Sequence, residues 1–311
     1  MSIPRAALGP LEVSALALGT WRTFERMPRE RAVATLRHAR ALGITFLDEA
    51  RYDDETGSAP IPSGYSEVLL GELFFEAGFA REGAVVVSEK LWWEFWPAQS
   101  AAQELAASLE RLRFDSVELI YAVHPPEGLE VARAVEEVAA ILDSGEARAW
   151  GVANWTAEQI EQALDACAGA GIDPPCAAQL PYSLARRDWA GEQRMLDALR
   201  AGGTSLVASA VLEGGLLTGR YAEAGAAGRL AGALGDPANR RALEVGDGLL
   251  ALAHEWETTP AALAVAFALD HPLLACVLVG ASAPSQLDEL AGAFELHARL
   301  GPDERARLAA V

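Results

Sequence analysis

Short apolar runs alternate with longer amphipathic stretches along the whole chain. Eight of these runs are rich in β-branched or other apolar residues and are bounded by Gly, Pro or charged residues, which is typical of buried strands. The predicted strands are Ala15–Gly19, Thr45–Asp48, Val85–Ser88, Val117–Ala122, Ala147–Val152, Cys176–Gln179, Ser205–Ala208 and Cys276–Gly280.

The stretches between the strands have helical periodicity. In the first of them, Ala32, Val33, Leu36 and Ala39 share one helical face. Local signals mark two helix starts: Thr156 followed by Gln159 has the capping-box spacing, and Thr259 followed by Pro260 is typical of an N-cap and first turn. The predicted helices are Arg29–Leu42, Ser66–Glu76, Gln99–Arg111, Leu129–Leu142, Ala157–Ala168, Ala190–Ala201, Arg241–Glu257, Pro260–Leu269 and Ser285–Ala298.

Eight strands, each followed by a helix or loop, predict an α/β protein of the (β/α)₈ TIM-barrel type. We expect a single domain over residues 1–311, with a short N-terminal hairpin and extra C-terminal helices. The alternative α/β architecture, a doubly wound sheet, needs a glycine-rich turn after its first strand. The sequence there is Leu18-Gly19-Thr20-Trp21, which lacks the dinucleotide fingerprint and therefore favours the barrel.

Composition narrows the range of partners. The chain has 311 residues, of which 51% are apolar, and 25 basic against 44 acidic residues give a net charge of −19. This charge argues against binding to nucleic-acid phosphates or to an anionic membrane surface. No apolar run reaches the roughly 18 residues of a membrane-spanning helix.

The three cysteines and the N-terminal segment favour a cytoplasmic protein. Cys167, Cys176 and Cys276 match neither a zinc site nor a disulfide framework, so we expect reduced thiols that pack in or near the core. The first ten residues lack the apolar region of a signal peptide.

Polar residues stand at the ends of five consecutive predicted strands. They are Asp48, Lys90, His124, Asn154 and Gln179. A single polar residue at a strand end is usually a cap or a solvated terminus, but in a barrel these five would meet at one mouth, which indicates a site. A metal site is disfavoured, because His124 is the only one of five histidines at a predicted strand end.

The order of motifs along essentially the whole chain resembles that of the aldo-keto reductases. The matching segments are Leu16–Trp21 (LALGTW), Ala41–Ala50 (ALGITFLDEA), Ser66–Gly71 (SEVLLG), Ser108–His124, Gly151–Asn154 (GVAN), Gln179–Leu184 (QLPYSL), Gly214–Tyr221 (GGLLTGRY) and Val279–Glu289 (VGASAPSQLDE). The resemblance implies a (β/α)₈ barrel that binds an extended nicotinamide cofactor without a Rossmann domain.

The resemblance also implies a catalytic group of Asp48, Lys90, His124 and a tyrosine. The family places this tyrosine five positions after the aspartate, where this chain has Asp53, so Tyr52 is the favoured candidate and Tyr65 the alternative. In the implied reaction Tyr52 protonates a carbonyl oxygen that His124 orients. Lys90, paired with Asp48, is expected to lower the pKa of the tyrosine.

The implied cofactor is NADPH, with NADH as the alternative. The residues that match its binding positions are Gly19, Thr20, Trp21, Asn154, Gln179, Ser209, Leu212, Gly214, Leu216, Gly280, Ser282, Gln286 and Glu289. Four features depart from the family pattern, two of them being Ala153 and Leu290, which replace a serine and an asparagine of the family. Ser209 stands where the family often stacks an aromatic ring, and no Lys or Arg occurs between Gly280 and Gln286, where NADPH-specific members usually place one.

Two loops after predicted strands complete the expected site. The first contains Trp92, Trp93, Phe95 and Trp96; we expect Trp92 and Trp93 to form a substrate wall for a bulky or aromatic carbonyl compound, with outer packing as the alternative. The second, Glu213–Gly235, is rich in Gly and Ala and is either a mobile lid or a long solvated connection.

Three functions follow from these features. The first is an NAD(P)H-dependent oxidoreductase that reduces an aldehyde or ketone to the alcohol. The second is a non-catalytic barrel that binds a nucleotide and serves regulation, and the third is a redox-neutral lyase or isomerase that reuses Asp48, Lys90 and a tyrosine. A small-molecule carbonyl substrate is the expected partner, and the sequence leaves the oligomeric state open.

Overall fold

The computed structural model describes residues 2–81, 84–222 and 230–311. Eight parallel strands close into a barrel, preceded by an antiparallel hairpin, which confirms the predicted (β/α)₈ fold. The hairpin strands are β1 (Arg5–Leu8) and β2 (Leu11–Ser14). The barrel strands are β3 (Leu16–Gly19), β4 (Phe46–Asp48), β5 (Val86–Leu91), β6 (Val117–Val123), β7 (Ala147–Ala153), β8 (Ala177–Pro181), β9 (Ser205–Ser209) and β10 (Leu274–Val279).

Helices pack around this barrel and continue past its last strand. They are α1 (Arg29–Ala41), α2 (Tyr65–Glu76), α3 (Ala101–Leu112), α4 (Val131–Ser144), α5 (Ala157–Ala170), α6 (Asp188–Gly191), α7 (Gln193–Gly202), α8 (Arg240–Glu255), α9 (Pro260–Ala268), α10 (Pro284–Arg299) and α11 (Pro302–Ala309). The two predicted helix starts are confirmed. Thr156 and Gln159 form a capping box, and the Thr259 hydroxyl accepts from the Ala262 N–H at 3.1 Å.

Most predicted elements end within two residues of the observed ends, and three differences go beyond that. The third barrel strand continues past Ser88 to Leu91, so Glu89 and Lys90 lie within β5. The helix predicted over 190–201 is split, because Glu192 has an extended backbone (φ −64°, ψ 139°) that separates α6 from α7. The last helix, α11, was not predicted, although Gly301 followed by Pro302 is a helix-start signal.

Two apolar layers fix the barrel. One fills the space between strands and helices, and the other lies inside the barrel. The hairpin contributes Leu8 and Leu11 to the inner layer, where they pack with Phe46 and Tyr121. The hairpin therefore covers the amino end of the barrel, and the carboxyl ends of the strands form the opposite mouth.

All three cysteines are buried free thiols, as expected. Residues 223–229 of the predicted loop Glu213–Gly235 lie outside the described residues, and 3₁₀ turns occupy 213–218 and 231–233. Among the described residues, no helix is long and apolar enough to cross a membrane.

Candidate active site

A buried ion pair lies at the mouth of the barrel. Asp48 ends β4 and Lys90 is the penultimate residue of β5, and the Lys90 Nζ lies 2.7 Å from the Asp48 Oδ2. The other carboxylate oxygen of Asp48 accepts from the Ser88 hydroxyl at 2.7 Å and from the Gln179 amide at 2.9 Å. Lys90 also donates to the Glu49 carbonyl at 3.2 Å. Since both charged groups are nearly inaccessible and hydrogen-bonded, their positions are tightly defined.

This pairing keeps Lys90 charged. Burial alone would lower the pKa of Lys90, but the Asp48 carboxylate outweighs burial and raises that pKa above its ordinary value. The site therefore holds a fixed ammonium group at every physiological pH.

Tyr52 lines a cavity of about 350 Å³ at this mouth, together with Arg51, Asp53, Trp92 and Glu94. Aromatic contacts hold the Tyr52 ring on two sides. It stacks on Trp21 with ring centroids 4.9 Å apart and meets the Trp92 ring edge-on at 5.6 Å. The phenol is thereby held beside an open space large enough for a small substrate.

Charge and burial act in opposite directions on Tyr52. Burial raises the pKa of the phenol, the Lys90 ammonium lowers it, and the Asp48 carboxylate raises it again, so the net pKa lies above the ordinary tyrosine value. The expected lowering by Lys90 is therefore present but outweighed. Tyr52 keeps its proton and is suited to donate it, rather than to act as a base.

The alternative tyrosine, Tyr65, occupies a different place. It is the first residue of α2, is half-buried, and does not line the cavity that Tyr52 lines. The local chain explains the arrangement: Gly64 precedes α2 in a left-handed conformation, and its N–H donates to the Tyr52 carbonyl at 2.8 Å. This bond joins the two ends of the loop between Tyr52 and Tyr65.

His124 directly follows β6, and its side chain is exposed. Its backbone N–H donates to the Ala153 carbonyl at 3.1 Å, which ties the chain after β6 to the end of β7. In the described part of the chain, no hydrogen bond or ion pair links its imidazole to Tyr52 or Lys90. His124 stands at the mouth without joining the hydrogen-bonded group.

The expected nicotinamide-binding residues lie in or directly after β3, β7 and β8. Gly19 ends β3, Thr20 is fully buried with its hydroxyl donating to the Glu49 carboxylate, and Trp21 is 40% exposed. Asn154 follows β7 with a left-handed backbone (φ +61°) and an exposed side chain. Gln179 in β8 is buried, with its amide nitrogen directed to Asp48.

The segment after β9 is shaped by left-handed residues. Ser209 ends the strand and Leu212 follows, half-buried, before Gly214 and Gly215 adopt φ values of +65° and +96°. Leu216 is buried beyond them. Only glycine adopts such a backbone without strain, which explains the paired glycines in this segment.

The segment after β10 leads into α10. The Gln286 side-chain oxygen accepts from the Ser282 N–H at 2.7 Å and from its hydroxyl at 3.2 Å. Gly280 and Glu289 are exposed. The charged residues between 280 and 289 are Asp288 and Glu289, both acidic, so the groups here that could bind an anion are neutral, such as backbone N–H groups and Ser282, whose N–H and hydroxyl now donate to Gln286.

The donor set fits a nicotinamide better than it fits a 2′-phosphate. The Asn154 amide has no hydrogen-bond partner among the described residues, and the Gln179 carbonyl oxygen is left over once its nitrogen binds Asp48. These two amides can hold a carboxamide, which both donates and accepts. The segment 280–289 offers no cation for a 2′-phosphate.

Comparison with known proteins identifies the family of the chain. The sequence model of the Aldo/keto reductase family matches residues 15–311. The chain belongs to the aldo/keto reductase family. Similar proteins include a rice protein (Oryza sativa subsp. japonica) named "Probable voltage-gated potassium channel subunit beta", 28% identical over 97% of this chain and 93% of its own. An Arabidopsis thaliana protein of the same name is 27% identical over 94% of this chain and 90% of its own length. A Schizosaccharomyces pombe protein named "Putative voltage-gated potassium channel subunit beta" is 27% identical over 94% of this chain and 88% of its own length.

In this aldo/keto reductase, the two tryptophans expected at the substrate wall lie in different places, one at the cavity and one in the core. Trp92 is half-buried and lines the cavity beside Tyr52. Trp93 is only 3% exposed, belongs to the core between barrel and helices, and donates its indole N–H to the Val123 carbonyl at 2.9 Å. The structure therefore brings Trp92 to the expected substrate wall, whereas Trp93 packs behind it.

Three charged residues of this site were missed at the sequence level. Arg51 lines the cavity, where it pairs with Glu94 and donates to Ser63 at 2.8 Å. Glu49 and Glu89 are fully buried next to the ion pair. For the two glutamates the available signal was their position: Glu49 directly follows Asp48 and Glu89 directly precedes Lys90, at places where the outward face of a barrel strand should be apolar.

Proposed function

We propose that this aldo/keto reductase reduces an aldehyde or ketone to the alcohol, with Tyr52 as the proton donor. The observation that carries the proposal is the buried Lys90–Asp48 pair beside Tyr52, whose phenol lines an open cavity and whose pKa lies above the ordinary tyrosine value. A phenol with its proton retained, next to a fixed cation, is suited to protonate an oxygen that gains negative charge.

A reduced nicotinamide, when bound, would supply the hydride that the protein itself lacks. Asn154 and Gln179 would hold its carboxamide, and Ser282 with the backbone N–H groups before α10 would hold its phosphate end. We take NADPH and NADH as the two candidates, and the absence of Lys and Arg from 280–289 favours NADH.

The chain's own residues then have distinct tasks. Tyr52 holds a proton at its hydroxyl and gives it to the substrate oxygen. The Lys90 ammonium stabilises the phenolate left behind, because it already lowers the pKa of that phenol, and Asp48 fixes Lys90 in place. His124, exposed at the mouth, would bind the carbonyl oxygen from the solvent side.

The cavity favours a bulky or aromatic substrate. Its walls include the rings of Tyr52 and Trp92, and its rim carries the Arg51–Glu94 ion pair. The volume of about 350 Å³ accommodates a compound of roughly the size of a substituted benzaldehyde.

A paired titration and turnover measurement tests the proposal. NADPH and NADH are each titrated into the protein while tryptophan fluorescence is followed, since Trp21 lies at the expected cofactor path. Saturable quenching and subsequent turnover of aromatic aldehydes would support a reductase. Saturable quenching with no turnover across a broad carbonyl panel would contradict it.

A second candidate is a regulatory barrel that binds a nucleotide without turnover. Two observations favour it: Ser209 offers no ring to stack on a nicotinamide, and the three relatives named above are described as potassium channel β subunits. In that case the chain would bind the nucleotide and dock on a partner protein. Binding without turnover in the titration above is the result that would favour this function over the first.

A further inference from the structure

Two buried glutamates lie directly behind the ion pair. Glu49 follows Asp48 at the end of β4 and Glu89 precedes Lys90 in β5. Because side chains alternate along a strand and Ser88 and Lys90 bond to Asp48 at the inner side, both glutamates project to the outer side of the barrel.

Strand register brings the two glutamates side by side. Asp48 pairs with Ser88 in the β4–β5 ladder, and the Glu49 N–H donates to the Ser88 carbonyl at 3.0 Å, so Glu49 and Glu89 are next in register. Two carboxyl groups in adjacent register, both removed from water, cannot both carry a negative charge at moderate cost.

The hydrogen-bond partners of the two carboxyl groups differ. Glu49 accepts from the Ala50 N–H at 2.9 Å and from the Thr20 hydroxyl. Glu89 accepts only from the Lys90 N–H at 2.9 Å, and its second oxygen is buried with no partner among the described residues. Of the two, Glu49 is therefore the better placed to lose its proton.

Each of the packed elements contributes charged or polar groups to this compartment. They are Thr20 directly after β3, Asp48 of β4, Lys90 of β5, Arg51 and Tyr52 of the loop after β4, Ser66 and Glu67 of α2, and Glu104 and Arg111 of α3. Lys90 is paired with Asp48, Arg51 with Glu94 and Arg111 with Glu67, so none of these three cations is left to neutralise Glu49 and Glu89.

We propose that Glu49 and Glu89 form a buried carboxyl pair that retains a proton, and that Glu49 is a positioning residue whose charge weakens Tyr52 as a proton donor. The proposal rests on the proposed reductase function. Glu49 does not touch the cavity; it acts through its neighbours, since its carbonyl accepts from Lys90 and its carboxyl group holds Thr20, next to the Trp21 on which Tyr52 stacks.

The expected titration lies in an accessible range. Burial raises the pKa of Glu49 to about 8, and burial together with Glu67 and Glu49 raises the pKa of Glu89 well above its usual range. As pH rises past this value, Glu49 releases its proton to solvent while Glu89 keeps its own. The negative charge that appears raises the pKa of Tyr52 further, and the reduction slows.

The same proton affects stability. The unfolded chain loses the Glu49 proton near the ordinary carboxyl pKa of 4.5, whereas the folded chain keeps it up to about pH 8. The folded state therefore binds the extra proton between these values, and the free energy of unfolding falls as pH rises through that window.

The test compares wild type, Glu49→Gln and Glu89→Gln over about pH 6 to pH 10, measuring both kcat and the denaturant midpoint. In wild type, kcat is expected to fall roughly three- to tenfold as pH rises past about 8, which is the effect of one added buried charge. This decrease is called the alkaline limb. Glu49→Gln, which mimics the protonated acid, removes this limb and reduces the pH dependence of the midpoint below about pH 8; the remaining dependence comes from Glu89, whose pKa is also raised. Glu89→Gln keeps the limb, because Glu89 is already neutral.

A glutamate on the next strand serves as the control. Glu118 of β6 is half-buried and pairs with Arg81 at 2.7 Å, with no described contact to Tyr52 or Lys90. Glu118→Gln is expected to lower the midpoint while the alkaline limb stays in place, which separates general destabilisation from the proposed effect.

The outcomes are distinct. A wild-type profile without the limb, or a limb that survives Glu49→Gln, would overturn the proposal even if one variant fails to fold. If the limb disappears in Glu89→Gln but not in Glu49→Gln, the titrating proton belongs to Glu89, and the proposal is overturned as well. If wild type turns over no carbonyl compound, the proposed function fails together with the effect on Tyr52, while the midpoints still show whether the pair holds its proton.

Discussion

At the residue scale, the site depends on a single buried cation. Lys90 is held by Asp48, and Asp48 in turn is held by Ser88 and Gln179. The carboxylate of Asp48 would be left buried without a counter-charge if Lys90 lost its ammonium group, and such a loss costs far more than the pair contributes.

We predict that Lys90→Met abolishes turnover and lowers the free energy of unfolding by about 3–5 kcal/mol, because Asp48 is then uncompensated. The double variant Asp48→Asn with Lys90→Met should regain most of that stability without regaining activity. Chemical denaturation and carbonyl turnover measured on both variants check this. Full turnover in folded Lys90→Met would contradict the assigned role.

The sequence predicted some of these residues and missed others for a physical reason. Asp48, Lys90 and Gln179 stand at or just after the ends of the predicted strands, and parallel strands bring such ends together, so their meeting could be inferred without coordinates. Glu49 and Glu89 occupy outward positions that normally carry apolar residues. Only the register and the packing of α2 show that they are buried rather than solvated.

At the element scale, glycines show how closely α2 approaches its neighbour. A Cβ atom on Gly71 in α2 would lie 2.2 Å from the Leu112 carbonyl at the end of α3. By contrast, a Cβ atom on the exposed Gly169 near the end of α5 would meet nothing within 4 Å. The two positions are both helical, and they differ in the space available.

We predict that Gly71→Ala destabilises the protein by roughly 1–3 kcal/mol, because α2 and α3 must move apart to accept the methyl group. The matched variant Gly169→Ala should stabilise it by about 0.5–1 kcal/mol through the lower entropy of the unfolded chain. Thermal or chemical unfolding of both variants measures these changes. Equal effects at the two sites would contradict the close packing.

The helices were largely predictable from sequence, and the exceptions have local causes. Apolar periodicity and caps such as Thr156 are short-range signals, so α5 begins where they predict. The break at Glu192 depends on backbone geometry that no periodicity reveals. The extension of β5 through Glu89 and Lys90 was hidden because charged residues normally end a strand.

At the scale of the whole molecule, closure of the barrel brings residues that are far apart in the sequence into one site. Asp48, Lys90 and Gln179 span more than a hundred residues of sequence, yet their side chains are within hydrogen-bond distance. The hairpin covers the opposite end, so the cavity at Tyr52 opens at the carboxyl ends of the strands. Closure of the barrel could be predicted from eight strand–helix units, whereas the division between Trp92 and Trp93 depends on loop packing that the sequence does not encode locally.

The central claim is that Tyr52 donates the proton in a nicotinamide-dependent carbonyl reduction. The most direct test measures turnover of aromatic aldehydes with NADPH and with NADH in wild type, Tyr52→Phe and the matched variant Tyr65→Phe. Cofactor binding in each is confirmed by fluorescence titration. We predict that Tyr52→Phe binds cofactor but loses about 10²- to 10⁴-fold in kcat, and that Tyr65→Phe stays close to wild type. Undiminished turnover in Tyr52→Phe, or binding without any turnover in wild type, would contradict the account.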